Sequence, residues 1–96
     1  MPVLNTVALI RAQDGSVDVV RDALTELKAR TREEEGCLRY DVFESAVAPG
    51  TFVTVEEWTD QSALDQYLTS THIAAALTAV DGALTGAPEI HPLHDI

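Results

Sequence analysis

Between Glu56 and His72 the chain gathers a carboxylate, an indole, a phenol and an imidazole at one strand–helix corner. Such groups take, hold and return protons, so proton transfer at a small bound molecule is the chemistry they suit. The run Thr51 to Trp58 is rich in β-branched residues and reads as a strand. Its period-two alternation puts Phe52, Thr54, Glu56 and Trp58 on one face and Val53, Val55 and Glu57 on the other. Phe52 and Trp58 then form an aromatic wall. A Glu56 buried beside them has its charged form disfavoured by desolvation, which raises its pKa toward the range of a base. A purely structural Glu56 would instead accept hydrogen bonds from Arg39 or a neighbouring hydroxyl.

His72 falls in the first turn of a helix opening near Ser70, where the positive helix end favours the neutral imidazole that a base needs. The plainer role there is a capping or surface residue. Tyr67 shares a helical face with Leu64 and Leu68, so its ring turns inward and its hydroxyl needs a partner. Tyr40 and Asn5 are further polar candidates of the same kind. His91 and His94 flank Pro92 in the tail, and with His72 they match no recognised ligand spacing, so no metal is expected. Cys37 has no neighbour that would depress its thiol pKa and reads as structural. Glu33, Glu34 and Glu35 read as a solvated helix end.

These residues need a frame to hold them. Val3 to Ala12 is apolar on both faces, with Val3, Val7 and Leu9 on one and Leu4, Ala8 and Ile10 on the other, so it reads as a strand covered on both sides. The turn 13–16 and a Ser16 N-cap open a helix running to about Glu34, with Val17, Val20, Leu24, Leu27 and Thr31 as its buried stripe. Gly36 stops that helix as a left-handed C-cap. Cys37 to Glu44, with Leu38, Tyr40 and Val42 on one face, pairs with Thr51 to Trp58 across the Ala48-Pro49-Gly50 turn as an antiparallel hairpin. Asp60 caps the helix of Ala63, Leu64, Tyr67 and Leu68. A break at 69–71 leads to an alanine-rich helix over 72–84, striped by Ile73, Leu77, Val80 and Leu84. Glu89 to Leu93 is a last strand that Pro88 and Pro92 confine to an edge. The order β-α-β-β-α-β is the α+β ferredoxin-like pattern, an antiparallel sheet with helices on one face. The apolar second face of the first strand asks for a cover, and a second copy of the chain is the simplest one.

Ninety-six residues form one domain, 1–96, with no repeat or linker. A net charge of −10 repels phosphate backbones, which argues against nucleic acid as a partner. A single cysteine excludes an intramolecular disulfide and fits a reducing cytoplasm. The N-terminal residues show no basic leader or signal-type stretch, and no run is long enough to cross a bilayer, so a cytoplasmic protein without a membrane partner is expected.

The run Arg32-Glu33-Glu34-Glu35-Gly36-Cys37-Leu38-Arg39-Tyr40-Asp41-Val42, followed by Glu56-Glu57-Trp58-Thr59-Asp60, Ala63-Leu64 and Ser70-Thr71-His72-Ile73, resembles the antibiotic biosynthesis monooxygenase family. The resemblance spans nearly the whole chain and implies a homodimeric α+β barrel made of two facing sheets. It also implies a pocket between each sheet and its helices. Members oxygenate quinol or polycyclic phenolic substrates with molecular oxygen and no cofactor, the electrons coming from the deprotonated substrate. On this basis His72 or Glu56 removes the proton, and Trp58 and Tyr67 stabilise the peroxy species. Phe52, Trp58, Tyr67, Tyr40 and Asn5 contact the substrate. The family usually carries a histidine where this chain has Tyr67, whereas His72 matches. Two alternatives accompany this expectation: a non-catalytic dimer that binds a small aromatic ligand, and a heme-binding or heme-degrading protein with His72 as axial ligand.

Overall fold

A computed structural model describes residues 3–96. The elements are β1 (Leu4–Arg11), α1 (Val17–Thr31), β2 (Cys37–Glu44), β3 (Thr51–Trp58), α2 (Gln61–Leu68), α3 (Thr71–Ala79) and β4 (Glu89–Leu93). The strands form one antiparallel sheet in the order β2-β3-β1-β4, the ferredoxin-like arrangement with a split second helix. β4 lies at an edge, where the missing N–H of Pro92 is tolerated.

Alternation settles which residues meet the helices. The even-numbered residues of β3, and Thr6, Ala8 and Ile10 of β1, are buried under the helices, whereas Val53, Val55, Val7 and Leu9 on the outer face are only half-buried. Cross-strand pairing arranges the inner face in rows. Tyr40, Glu56 and Thr6 make one row. Val42, Thr54, Ala8 and Ile90 make the next. α1 contributes Val20, Leu24, Leu27 and Thr31 at three- and four-residue steps, all buried.

Local chemistry explains most boundaries. The Asp60 carboxylate accepts from the Ala63 N–H at 2.8 Å and starts α2. The Ser70 hydroxyl accepts from the Ile73 N–H and starts α3. Gly36 has φ +88, and a Cβ there would stand 2.7 Å from the Ala63 Cβ, so both conformation and space demand glycine.

Four expectations need correction. Ser16 occupies the N-cap position of α1 but makes no side-chain cap bond. α1 ends at Thr31, and a turn bridges to Gly36, whose left-handed conformation serves entry into β2 rather than the helix end. The register of β2 shifts between Cys37 and Arg39, and this bulge leaves Leu38 exposed instead of on the Tyr40 face. α3 stops at Ala79 because the chain turns at Gly82 (φ +76) to let Leu84 bridge to Ala12. Among the described residues no helix is long and apolar enough to cross a membrane.

Candidate active site

Glu56 is 4 % exposed, at the middle of the inner sheet face. The Thr54 hydroxyl donates to its Oε2 at 2.5 Å, and the Trp58 indole N–H donates to its Oε1 at 2.9 Å. All three residues share the inner face of β3 because they alternate along one strand. Burial pushes the Glu56 pKa up, and the two donated bonds hold back part of that rise. Arg39, on the outer face, pairs with Asp41 and Glu57 and leaves Glu56 to the hydroxyl and the indole.

Two tyrosines stand beside this carboxylate. Tyr40 is the direct cross-strand partner of Glu56, and Tyr67 comes down from α2. The Thr31 hydroxyl donates to the Tyr67 hydroxyl at 3.2 Å, and Tyr67 donates to Tyr40 at 3.1 Å. Desolvation drives the Tyr40 pKa far above its ordinary value, and the neighbouring Tyr67 adds to the effect. Desolvation also raises Tyr67 to about 12, against the pull of its bonds to Thr31 and Tyr40. Both phenols are therefore neutral donors at pH 7, not bases. Each hydroxyl in the chain donates once, which leaves the Tyr40 proton free for a further acceptor.

Glu56, Thr54, Tyr40 and Tyr67 line one end of a cavity of about 100 Å³ between the sheet and the helices. Its walls are aliphatic, from Ile10, Leu24, Leu27, Ile73 and Val80. The volume is two-thirds that of an apolar cavity of about 150 Å³ known to admit benzene, which limits the occupant to a single ring. An apolar slot holding one proton acceptor and neutral donors can bind a flat phenolic ring, take its proton and hold the resulting anion.

The structure brings together Glu56, Trp58, Tyr67 and Tyr40, with Trp58 in a supporting place. Its ring is fully buried, stacks on Tyr67 at 4.7 Å between centroids and commits its N–H to Glu56, so it stands behind the cavity rather than in its wall. Phe52 does not join it as an aromatic wall, for it lies six residues along the same strand, roughly 20 Å away. There the Arg21 guanidinium sits 6.0 Å from its ring centroid. Asn5 is on the outer face, exposed, opposite Glu57 and Leu93. His72 does not line the cavity either. Its Nε2 lies 3.0 Å from Glu34 Oε2 without hydrogen-bond alignment, and its ring leans on the back of Tyr67 at 5.7 Å. Placed there, it is not positioned to ligate heme inside the cavity.

Thr54 and Thr31 escaped the sequence reading as site residues. Thr54 shares the parity of Glu56, so alternation carried a signal for it; Thr31 carried only its place on the buried helix stripe. His91 lies on the edge strand β4 and His94 just beyond its end, and among the described residues no three His, Cys, Asp or Glu side chains cluster to hold a metal. Cys37 is half-buried, and burial followed by the charge of Glu56 raises its thiol pKa.

The family model for antibiotic biosynthesis monooxygenases matches residues 4–79. No protein in the comparison with curated sequences matches this chain. Among solved structures, an antibiotic biosynthesis monooxygenase is 28% identical with a TM-score of 0.89, over 97% of this chain and 98% of that one. PA3566 of Pseudomonas aeruginosa is 26% identical with a TM-score of 0.91, covering 100% of this chain and 96% of that one. Rv0793 of Mycobacterium tuberculosis is 26% identical with a TM-score of 0.89, covering 99% and 96%.

Proposed function

We propose that this chain, which belongs to the antibiotic biosynthesis monooxygenase family, oxygenates an electron-rich phenolic substrate of the quinol type with molecular oxygen and no cofactor. The observation that carries this reading is the Glu56 carboxylate, buried at the polar end of an apolar cavity beside two neutral tyrosine hydroxyls.

Glu56 takes the hydroxyl proton of the substrate. Burial favours this transfer because it raises the basicity of the carboxylate above that of an ordinary glutamate. The substrate anion gives electrons to oxygen, and a C–O bond forms at a ring carbon activated by the oxyanion. Tyr40, last in the Thr31–Tyr67–Tyr40 chain, donates to the developing negative oxygen. The proton held by Glu56 then passes to the distal peroxy oxygen, the O–O bond breaks, and the ring carbon loses its hydrogen to become a carbonyl. The sum is a phenol plus oxygen giving a quinone plus water, with every electron supplied by the substrate. Trp58 acts through Glu56, and His72 braces Tyr67 from behind. The functional unit proposed is a homodimer joined through the outer sheet face.

The test uses metal-stripped, flavin-free protein mixed anaerobically with catechols, hydroquinones, naphthalenediols and anthrols, followed by addition of oxygen. Oxygen uptake with quinone formation is expected, and Glu56→Gln lowers its rate by about 10²–10⁴-fold. Ligand binding without turnover across the whole panel would instead identify a binding dimer.

A further inference from the structure

We infer that the cavity is shaped for a single-ring vicinal diol, a catechol with an alkyl tail; this rests on the oxygenation proposed above and narrows its substrate class. The polar side chains gather at one pole. Glu56 and Thr54 come from β3 and Tyr40 from β2, whereas β1 and β4 present Ala8, Ile10 and Ile90 to the same space. Glu56 and Tyr40 are cross-strand partners, so an acceptor and a donor stand side by side. Glu56 keeps lone pairs beyond the two bonds it accepts, and Tyr40 keeps its own proton. Two adjacent ring oxygens fit that pair: one hydroxyl donates to Glu56 and its neighbour accepts from Tyr40.

Oxygens on opposite ring carbons fit less well. They lie about one strand spacing apart, roughly 5 Å, so the second would face the aliphatic side chains over β1. A hydroxyl buried there without a partner is costly. The nearest hydroxyl on β1, Thr6, is buried in the Glu56 row and is not part of the cavity wall. A monohydric phenol would satisfy the pole with one oxygen, but its anion has no second ring oxygen to enrich it and gives up electrons to oxygen less readily than that of a diol.

Size and mouth define the rest of the molecule. About 100 Å³ leaves room for one ring at most. Leu77 and Ile90 line the same cavity yet are 50% and 42% exposed, so they mark its opening to solvent. A flexible alkyl chain can leave past them, whereas a fused second ring must stay in the plane of the first. The net charge of −10 favours a neutral tail over an acidic one.

Anaerobic calorimetry on the full chain tests this with the isomers propylcatechol and propylhydroquinone, catechols of increasing tail length, and a naphthalenediol with adjacent hydroxyls. Propylcatechol is expected to bind about tenfold tighter than its opposite-hydroxyl isomer, the cost of one unpaired buried hydroxyl. Affinity should rise about threefold per added methylene, and Leu77→Ser should flatten that rise. Tyr40→Phe should reduce the isomer preference to about twofold or less. Equal or tighter binding of the hydroquinone or the naphthalenediol, no dependence on tail length, or no catechol binding overturns the assignment. Oxygen uptake is read separately. Tight catechol binding without uptake leaves the assignment standing and defeats the oxygenation, whereas Glu56-dependent oxidation of the hydroquinone alone does the reverse.

Discussion

The two donors on Glu56 give Trp58 a role that truncation can reveal. The indole N–H stabilises the carboxylate, so Trp58→Phe should raise the Glu56 pKa further. The acid limb of the kcat/KM profile then moves to higher pH, which a loss of packing alone would not cause. Stability gives a second reading of the same group. Folding raises the Glu56 pKa, so the folded chain binds this proton more tightly than the unfolded one. Its contribution is full below the unfolded carboxylate pKa and is lost as pH rises through the folded value. Glu56→Gln removes that loss. Its Tm should exceed that of the wild type at pH 8, with the difference shrinking toward pH 4. A less stable variant at pH 8 would mean that the buried charge is well solvated by its partners.

At the scale of elements, the corners that aim these residues are the sensitive points. Asp60→Ala should cost about 1 kcal/mol in urea denaturation, by loss of the α2 cap. Gly36→Ala should cost about 1–3 kcal/mol, since it adds strain at positive φ to a close approach on Ala63. The corners are also where the sequence was most legible. Alternation placed Glu56, Trp58 and Thr54 on one face of β3 with the observed ends, and Asp60 and Ser70 announced their helices. Patterns failed where a single residue redirects the chain. The β2 bulge turned Leu38 outward, and Gly82 ended α3 inside a run whose composition still favoured helix. Site geometry was legible only to the level of a face. Parity shows that Phe52 and Glu56 point the same way, but not that the cavity takes in Glu56 and leaves Phe52 and Trp58 outside its wall. The turn of α3 that aims His72 at Glu34 depends on how the helices dock, which no local spacing encodes.

For the whole molecule, the outer sheet face remains open. Val7, Leu9, Val53 and Val55 are half-buried there, and Phe43 is 53% exposed. Ion pairs flank the patch, Arg11 with Glu89 on one side and Arg39 with Asp41 on the other. The proposed dimer covers this patch, so the wild type should sediment as a dimer at micromolar concentration and Val53→Glu as a monomer. A wild-type monomer would refute the two-sheet barrel while leaving the cavity on the opposite face in place. The reaction itself is tested most directly by isotopically labelled oxygen. Metal-stripped, flavin-free protein should place one labelled oxygen atom in the product and the other in water, at a rate that falls by about 10²-fold or more in Glu56→Gln. Unlabelled product, or equal rates in the variant and the wild type, would contradict a Glu56-driven oxygenation.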